Sequence, residues 1–169
     1  MSDTASISPP IPTPSRQEHD ADGRLIAAEF DSAAQPAGQR WLLAIDGSAQ
    51  ALHTCQQVIR LNLASAQQGV DLINVQHWLS REAADSELLK RGWAASAVAR
   101  AEFDAAGVPW RLHVLMGEAA NHIIQLANRL GSTGIAIGSH GENTSKAVLL
   151  GSVTHNVLHH AKVSVLVVR

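Results

Sequence analysis

The chain has 169 residues, 17% of them charged, and a net charge of -2, which suits one domain with enough apolar residues for a sizeable core. That charge makes no electrostatic case for nucleic acid or an anionic membrane surface. An aromatic content of 4%, without tyrosine, argues against stacking platforms for single-stranded nucleic acid. Cys55 is the single cysteine, so an internal disulfide framework is excluded and a reducing cytoplasm is expected. No run is long and apolar enough for a membrane-spanning helix, and the N-terminus lacks the basic-then-apolar pattern of a secretory signal.

Residues 1–38 differ from the rest. Pro9, Pro10, Pro12 and Pro14 stand among Ser and Thr, then mixed charges follow. This composition predicts a disordered, solvated N-terminal tail, with Leu25 to Phe30 as a weak apolar patch and residues 35–38 as a linker. The folded domain is expected over residues 39–169.

Trp41 to Ile45 is continuously apolar and predicts a strand buried on both faces. Asp46-Gly47-Ser48 ends it. A helix is expected from about Ser48 to Ala66, with Leu52, Cys55, Val58, Ile59 and Leu63 on one face. On that face Cys55 reads as a small core residue rather than a reactive thiol. Val70 to Val75 predicts a second strand. Residues 80–106 read as mainly helical, with Leu88, Leu89, Val98 and Phe103 as core candidates. Trp110 to Leu115 predicts a third strand. A helix then runs to Leu130 with Ala119, Ile123, Leu126 and Ala127 inward. Strands alternating with helices argue for a parallel sheet with helical crossovers.

The last stretch carries the chemistry. Ile135 to Ile137 is a short apolar strand, followed by Gly138, Gly141, Gly151 and Ser152. Val153, Val157, Leu158 and Ala161 then keep helical spacing, and Val163 to Val168 is a β-branched final strand. Glycines allow close backbone approach, and a Gly-Ser at a helix start presents N–H groups with the helix dipole behind them. That combination suits phosphate. The P-loop pattern fails, because its second glycine position is Lys146. The Rossmann fingerprint fails for want of a third close glycine after a first strand.

The pattern Gly138-x2-Gly141-x9-Gly151-Ser152 resembles the nucleotide-binding motif of the universal stress protein family, in its ATP-binding branch. The resemblance runs from about Arg40 to Arg169. It implies an α/β three-layer sandwich with a five-stranded parallel sheet of order 3-2-1-4-5, helices on both faces, and a homodimer formed through the C-terminal strand. It also implies adenine nucleotide, ATP foremost, with or without magnesium. By the same resemblance Asp46 faces the adenine and ribose side, Val75 forms an adenine wall and Ile137 packs near the base or ribose. Gly138 and Gly141 lie against ribose and phosphate, and Gly151, Ser152, Val153 and Thr154 meet phosphate oxygens. Thr133, Gly134 and Lys162-Val163-Ser164 depart from the family pattern away from this site.

In that strand order the first and fourth strands flank the point where direction reverses, which is where open α/β sheets bind ligands. Asp46 and Gly138 end those two strands. His155 and His159 have spacing that can hold a metal, but the reading favoured here is a solvated helix face, with no metal or catalytic residue assigned. His140, between the two loop glycines, can reach phosphate or equally face solvent, and Lys146 is the best-placed cation for a triphosphate. Phosphoryl transfer needs metal ligands and a group to position the nucleophile, and beyond Asp46 no carboxylate is well placed. A regulatory stress-response module that binds nucleotide without efficient turnover, and acts on an unknown protein partner, is therefore the favoured function. The alternatives are a slow ATPase or phosphotransferase, and a dimerising member without nucleotide.

Overall fold

In the computed structural model, residues 10–141 and 150–169 are described. The chain order is β1 (Arg16–His19), β2 (Leu25–Asp31), β3 (Trp41–Ala44), α1 (Ala49–Arg60), β4 (Val70–Gln76), α2 (Arg81–Ala95), α3 (Ala97–Ala105), β5 (Trp110–Met116), α4 (Ala119–Leu130), β6 (Gly134–Gly138), α5 (Ser152–His160) and β7 (Ser164–Val168). All seven strands join one sheet in the order β1-β2-β5-β4-β3-β6-β7. The five strands from β5 to β7 are parallel and keep the expected 3-2-1-4-5 order. β1 and β2 add to them antiparallel. The sheet is thus seven-stranded and mixed, not five-stranded and parallel. Among the described residues no helix is long and apolar enough to cross a membrane.

The continuous apolar runs divide by parity between two cores. Leu43, Leu72, Leu112 and Val114 face α1, α2 and α3, where Cys55, Val58, Leu88 and Phe103 are fully buried. Leu42, Ile73, Ile135 and Ile137 face α4 and α5, against Ile123, Leu126 and Val157. Successive strand residues point to opposite faces, so a strand covered on both sides must be apolar at every position. Burial pushes the Cys55 thiol up to about 12, which leaves it a packing residue.

The tail expectation is corrected most. Residues 16–31 form a β-hairpin. Its turn is set by Asp20, whose Oδ1 accepts the N–H groups of Asp22 (3.0 Å) and Arg24 (2.9 Å), with Gly23 at φ 76°. β2 buries Leu25, Ala28 and Phe30 under α2, and the Phe30 ring lies 5.0 Å from that of Trp93. Its other face turns Asp31 to Arg111 (2.6 Å) and Glu29 to His113 (3.3 Å) on β5. Without β2 the β5 edge would present unpaired backbone groups. A composition averaged over 38 residues hid a seven-residue strand whose two faces are each complementary to β5 and its cover.

Smaller corrections follow from local geometry. α1 ends at Arg60, six residues earlier than expected, because Asn62 takes a left-handed conformation at φ 54°. The 80–106 helix is broken at Ser96 into α2 and α3, and Val98 is exposed rather than core. Leu158 on α5 is likewise exposed.

Candidate functional site

β3 and β6 are neighbours from which the chain proceeds in opposite directions across the sheet, so a crevice opens beyond their C-terminal ends. Asp46 stands at the end of β3. Its Oδ1 accepts the Ser48 N–H (3.0 Å), and Ser48 Oγ accepts the Ala51 N–H (3.1 Å), so both residues start α1. The buried Asn74 amide donates to Ile45 O (2.9 Å) and fixes the backbone just before Asp46. On the opposite wall Gly141 approaches so closely that a Cβ there would lie 3.1 Å from Asp46 Oδ2. Any side chain at 141 would therefore press on this carboxylate, which would have to shift by a few tenths of an ångström.

α5 begins at Gly151, the N-cap, with φ -67° and ψ 157°. Ser152 is therefore the first helical residue. No side chain among the described residues caps this helix, whereas Ser48, Ser80 and Glu118 cap α1, α2 and α4. The first intrahelical bond runs from the His155 N–H to Gly151 O (2.9 Å). The N–H groups of Ser152, Val153 and Thr154 have no acceptor within the helix. Thr154 is buried, and its hydroxyl donates to Gly138 O (2.7 Å), so it joins α5 to β6 instead of presenting a free hydroxyl proton.

Between these walls lies a cavity of about 140 Å³. Asp46, Val75, Ile137, Gly138, Gly141, Gly151, Ser152, Val153 and Thr154 all line it, together with His140, whose Nδ1 is 2.8 Å from Ser139 Oγ. Its lining is mixed: Asp46, Ser48, His140 and the start of α5 bring polar groups, while Ala44, Ile73, Val75, Ile123 and Ile137 form an apolar slot, with Ala119 also on the wall. Ala44, Ile73, Ala119 and Ile123 were not named as site residues from sequence, although Ala119 and Ile123 were read as inward positions of their helix. Strand parity could have found Ile73, which shares a face with Val75 two residues on.

His155, His159 and His160 lie on the exposed face of α5 and do not line the cavity. Among the described residues no three His, Cys, Asp or Glu side chains gather as a metal site. Glu142 and Lys146 lie outside the described residues.

The fold and site together define an open α/β domain with an anion-ready helix start and an apolar slot at its switch point. The sequence profile of the universal stress protein family matches residues 38–169. The chain belongs to that family, and the hairpin precedes the matched region. No curated protein matches it. Among solved structures, hypothetical protein MJ0577 is 27% identical with a TM-score of 0.65, over 77% of this chain and 94% of that one. A universal stress protein in complex with cAMP is 20% identical with a TM-score of 0.57, over 79% and 98%. The universal stress protein from Archaeoglobus fulgidus in complex with dAMP is 19% identical with a TM-score of 0.56, over 78% and 98%.

Proposed function

We propose that this chain binds an adenine nucleotide, ATP foremost, in the β3–β6 crevice, as a cytoplasmic stress-response module without efficient turnover. The observation that carries the reading is the mixed lining of one cavity. Its apolar slot suits a purine, and the start of α5 in the same lining offers the Ser152, Val153 and Thr154 N–H groups and the helix dipole to phosphate. Relatives of the same fold were solved with cAMP and dAMP.

Mass spectrometry of nucleotide released from the purified protein tests the ligand class directly. Titration with ATP, with and without magnesium, tests affinity, and phosphate release under the same conditions tests turnover. Gly151→Val places a branched side chain at the cap and is expected to weaken ATP binding at least about tenfold, or ~1.4 kcal/mol. Unchanged affinity in calorimetry would remove the phosphate from this place.

The proposal includes a homodimer through β7. β7 pairs only with β6 among the described residues, and its Val165, Leu166 and Val167 are half-buried at the sheet edge. Such an edge requires cover or pairing, and the same strand of a second copy supplies both edges with one two-fold contact. Proline at Val165 or Val167 removes a donor. One of these variants is expected to sediment with more monomer than the wild type, and a wild type that is monomeric at tens of micromolar contradicts the dimer.

A further inference from the structure

We propose that Gln50 is a positioning residue for the phosphate end of this site, an inference that rests on the nucleotide reading above. Gln50 lies in the first turn of α1, between Ser48 and Ala51, both of which line the cavity. Its own side chain does not line the cavity. It runs across β6 to the end of β7, where its Nε2 donates to Val168 O at 2.7 Å.

That carbonyl is a shared acceptor. The Ser139 N–H also donates to Val168 O (2.7 Å), and Ser139 O in turn accepts the Gly151 N–H (2.8 Å). Gly138 O accepts the Thr154 hydroxyl (2.7 Å). The loop after β6 and the start of α5 are thus held to one another, and Gln50 ties the acceptor that this loop shares to α1. Steric contact adds to the hydrogen bond. A Cβ on Gly138 would lie 2.6 Å from Gln50 Cγ, so the glutamine stem fills the space that a side chain at 138 would need. Gly138 is small to admit Gln50, in addition to any approach of ligand. The α1 backbone beneath is fixed in turn, since the buried Thr54 hydroxyl donates to Gln50 O (2.9 Å).

Because Gln50 acts on the phosphate end and not on the apolar slot, its loss separates the two halves of the ligand. Gln50→Leu keeps bulk against Gly138 and removes the donor. Titration by NMR, which reads millimolar affinities, compares ATP with adenosine. The expected result is ATP binding weakened about fivefold, the net worth of one hydrogen bond, with adenosine unchanged. ATP binding equal to wild type, or equal losses for ATP and adenosine, would overturn the assignment. A wild type that binds neither ligand overturns the nucleotide reading instead.

A double-mutant cycle provides the second arm should Gln50→Leu not fold. Gly138→Ala collides with Gln50 Cγ in the wild type, and Gln50→Ala removes that contact, leaving His140 O at 3.3 Å and the Cβ of residue 50 at 3.5 Å. ATP binding is expected to fall more when Gly138→Ala is made in the wild type than when it is made in Gln50→Ala. Strictly additive losses would show that the two residues do not act on the ligand together.

Discussion

Replacing Phe30 with alanine is expected to cost about 3–5 kcal/mol of folding free energy. Phe30 is 2% exposed, in a segment that precedes the region matched by the family profile. Its ring meets Trp93 of α2, and Leu25 and Ala28 share its face. Domains carry about 5–15 kcal/mol in total, so this single change removes a large share. For a chain of this length the thermal midpoint is expected to fall by about 10 °C. Urea unfolding of the variant measures the loss. Removing residues 1–31 altogether goes further. It unpairs β5 from Leu115 to Arg111, and takes Glu29 from His113 and Asp31 from Arg111. That truncated protein is expected to self-associate through the bare strand or to fail to fold. A truncated chain with the wild-type midpoint would show that the hairpin contributes nothing to the domain, which is what a solvated tail requires.

The second large effect is expected at His113. This side chain is 2% exposed and lies between two carboxylates, with Nε2 3.1 Å from Asp71 Oδ1 and Nδ1 3.3 Å from Glu29 Oε1. Ionised carboxylates only accept hydrogen bonds, so this pair of contacts favours the imidazolium, in which both ring nitrogens donate. Burial opposes that charge and is the largest single effect on it, but the hydrogen bonds and charges of Asp71 and Glu29 outweigh it and raise the pKa above the ordinary 6.5. Burial likewise works to raise Asp71, yet bonds from His113 and Arg40 hold it below its ordinary value. Glu29 is lowered chiefly by its bond with His113. Arg40 completes the cluster with a two-pronged contact to Asp71, at 2.8 and 3.2 Å.

The pH dependence follows from these directions. The contribution of His113 is complete below the unfolded histidine pKa and is lost as pH rises through its higher folded pKa. The contributions of Asp71 and Glu29 are present above their unfolded values and are lost as pH falls through the lower folded ones. Stability is therefore expected to fall on both sides of a neutral plateau. His113→Leu leaves Glu29 without its partner and Asp71 with Arg40 alone, at an expected cost of about 3–5 kcal/mol. Chemical denaturation from mildly acid to alkaline pH checks both points. The alkaline decline of the wild type should be absent from the variant, and an equal decline in both would mean that another group titrates there.

How far the sequence reached can be judged from particular residues. Gly138, Gly141, Gly151 and Ser152, which the structure brings to one cavity, could be singled out because their backbone chemistry is local, while Asp46 was added by the family resemblance and its strand order. Glycines before a helix start mean the same thing in any fold. The five parallel strands were legible for a similar reason, since apolar runs alternating with helical spacing force helices onto both faces of a sheet. Ala119 and Ile123 were legible as inward positions of their helix but not as site residues, because only the tertiary structure brings the first turns of α4 to the cavity beside β3 and β4.

The hairpin was half legible. Asp22-Gly23 between two short segments is a turn signal, and Leu25 to Phe30 was visible as an apolar patch. What the sequence left open was whether that patch had anything to bury against. The answer lay in residues 111–115, some 80 positions away, which offer Arg111 and His113 on one face and Leu112 and Val114 on the other. Gln50 is the extreme case. A glutamine in the first turn of a helix reads as solvated, and its acceptor is 118 residues distant. The sequence by itself determined the alternation of elements and the anion-ready turn, because backbone conformation and short-range periodicity decide those. The antiparallel β1–β2 edge, the charged cluster at His113 and the tie from Gln50 to Val168 were decided only by tertiary structure. Each depends on complementarity between segments that chain distance separates and the sheet brings together.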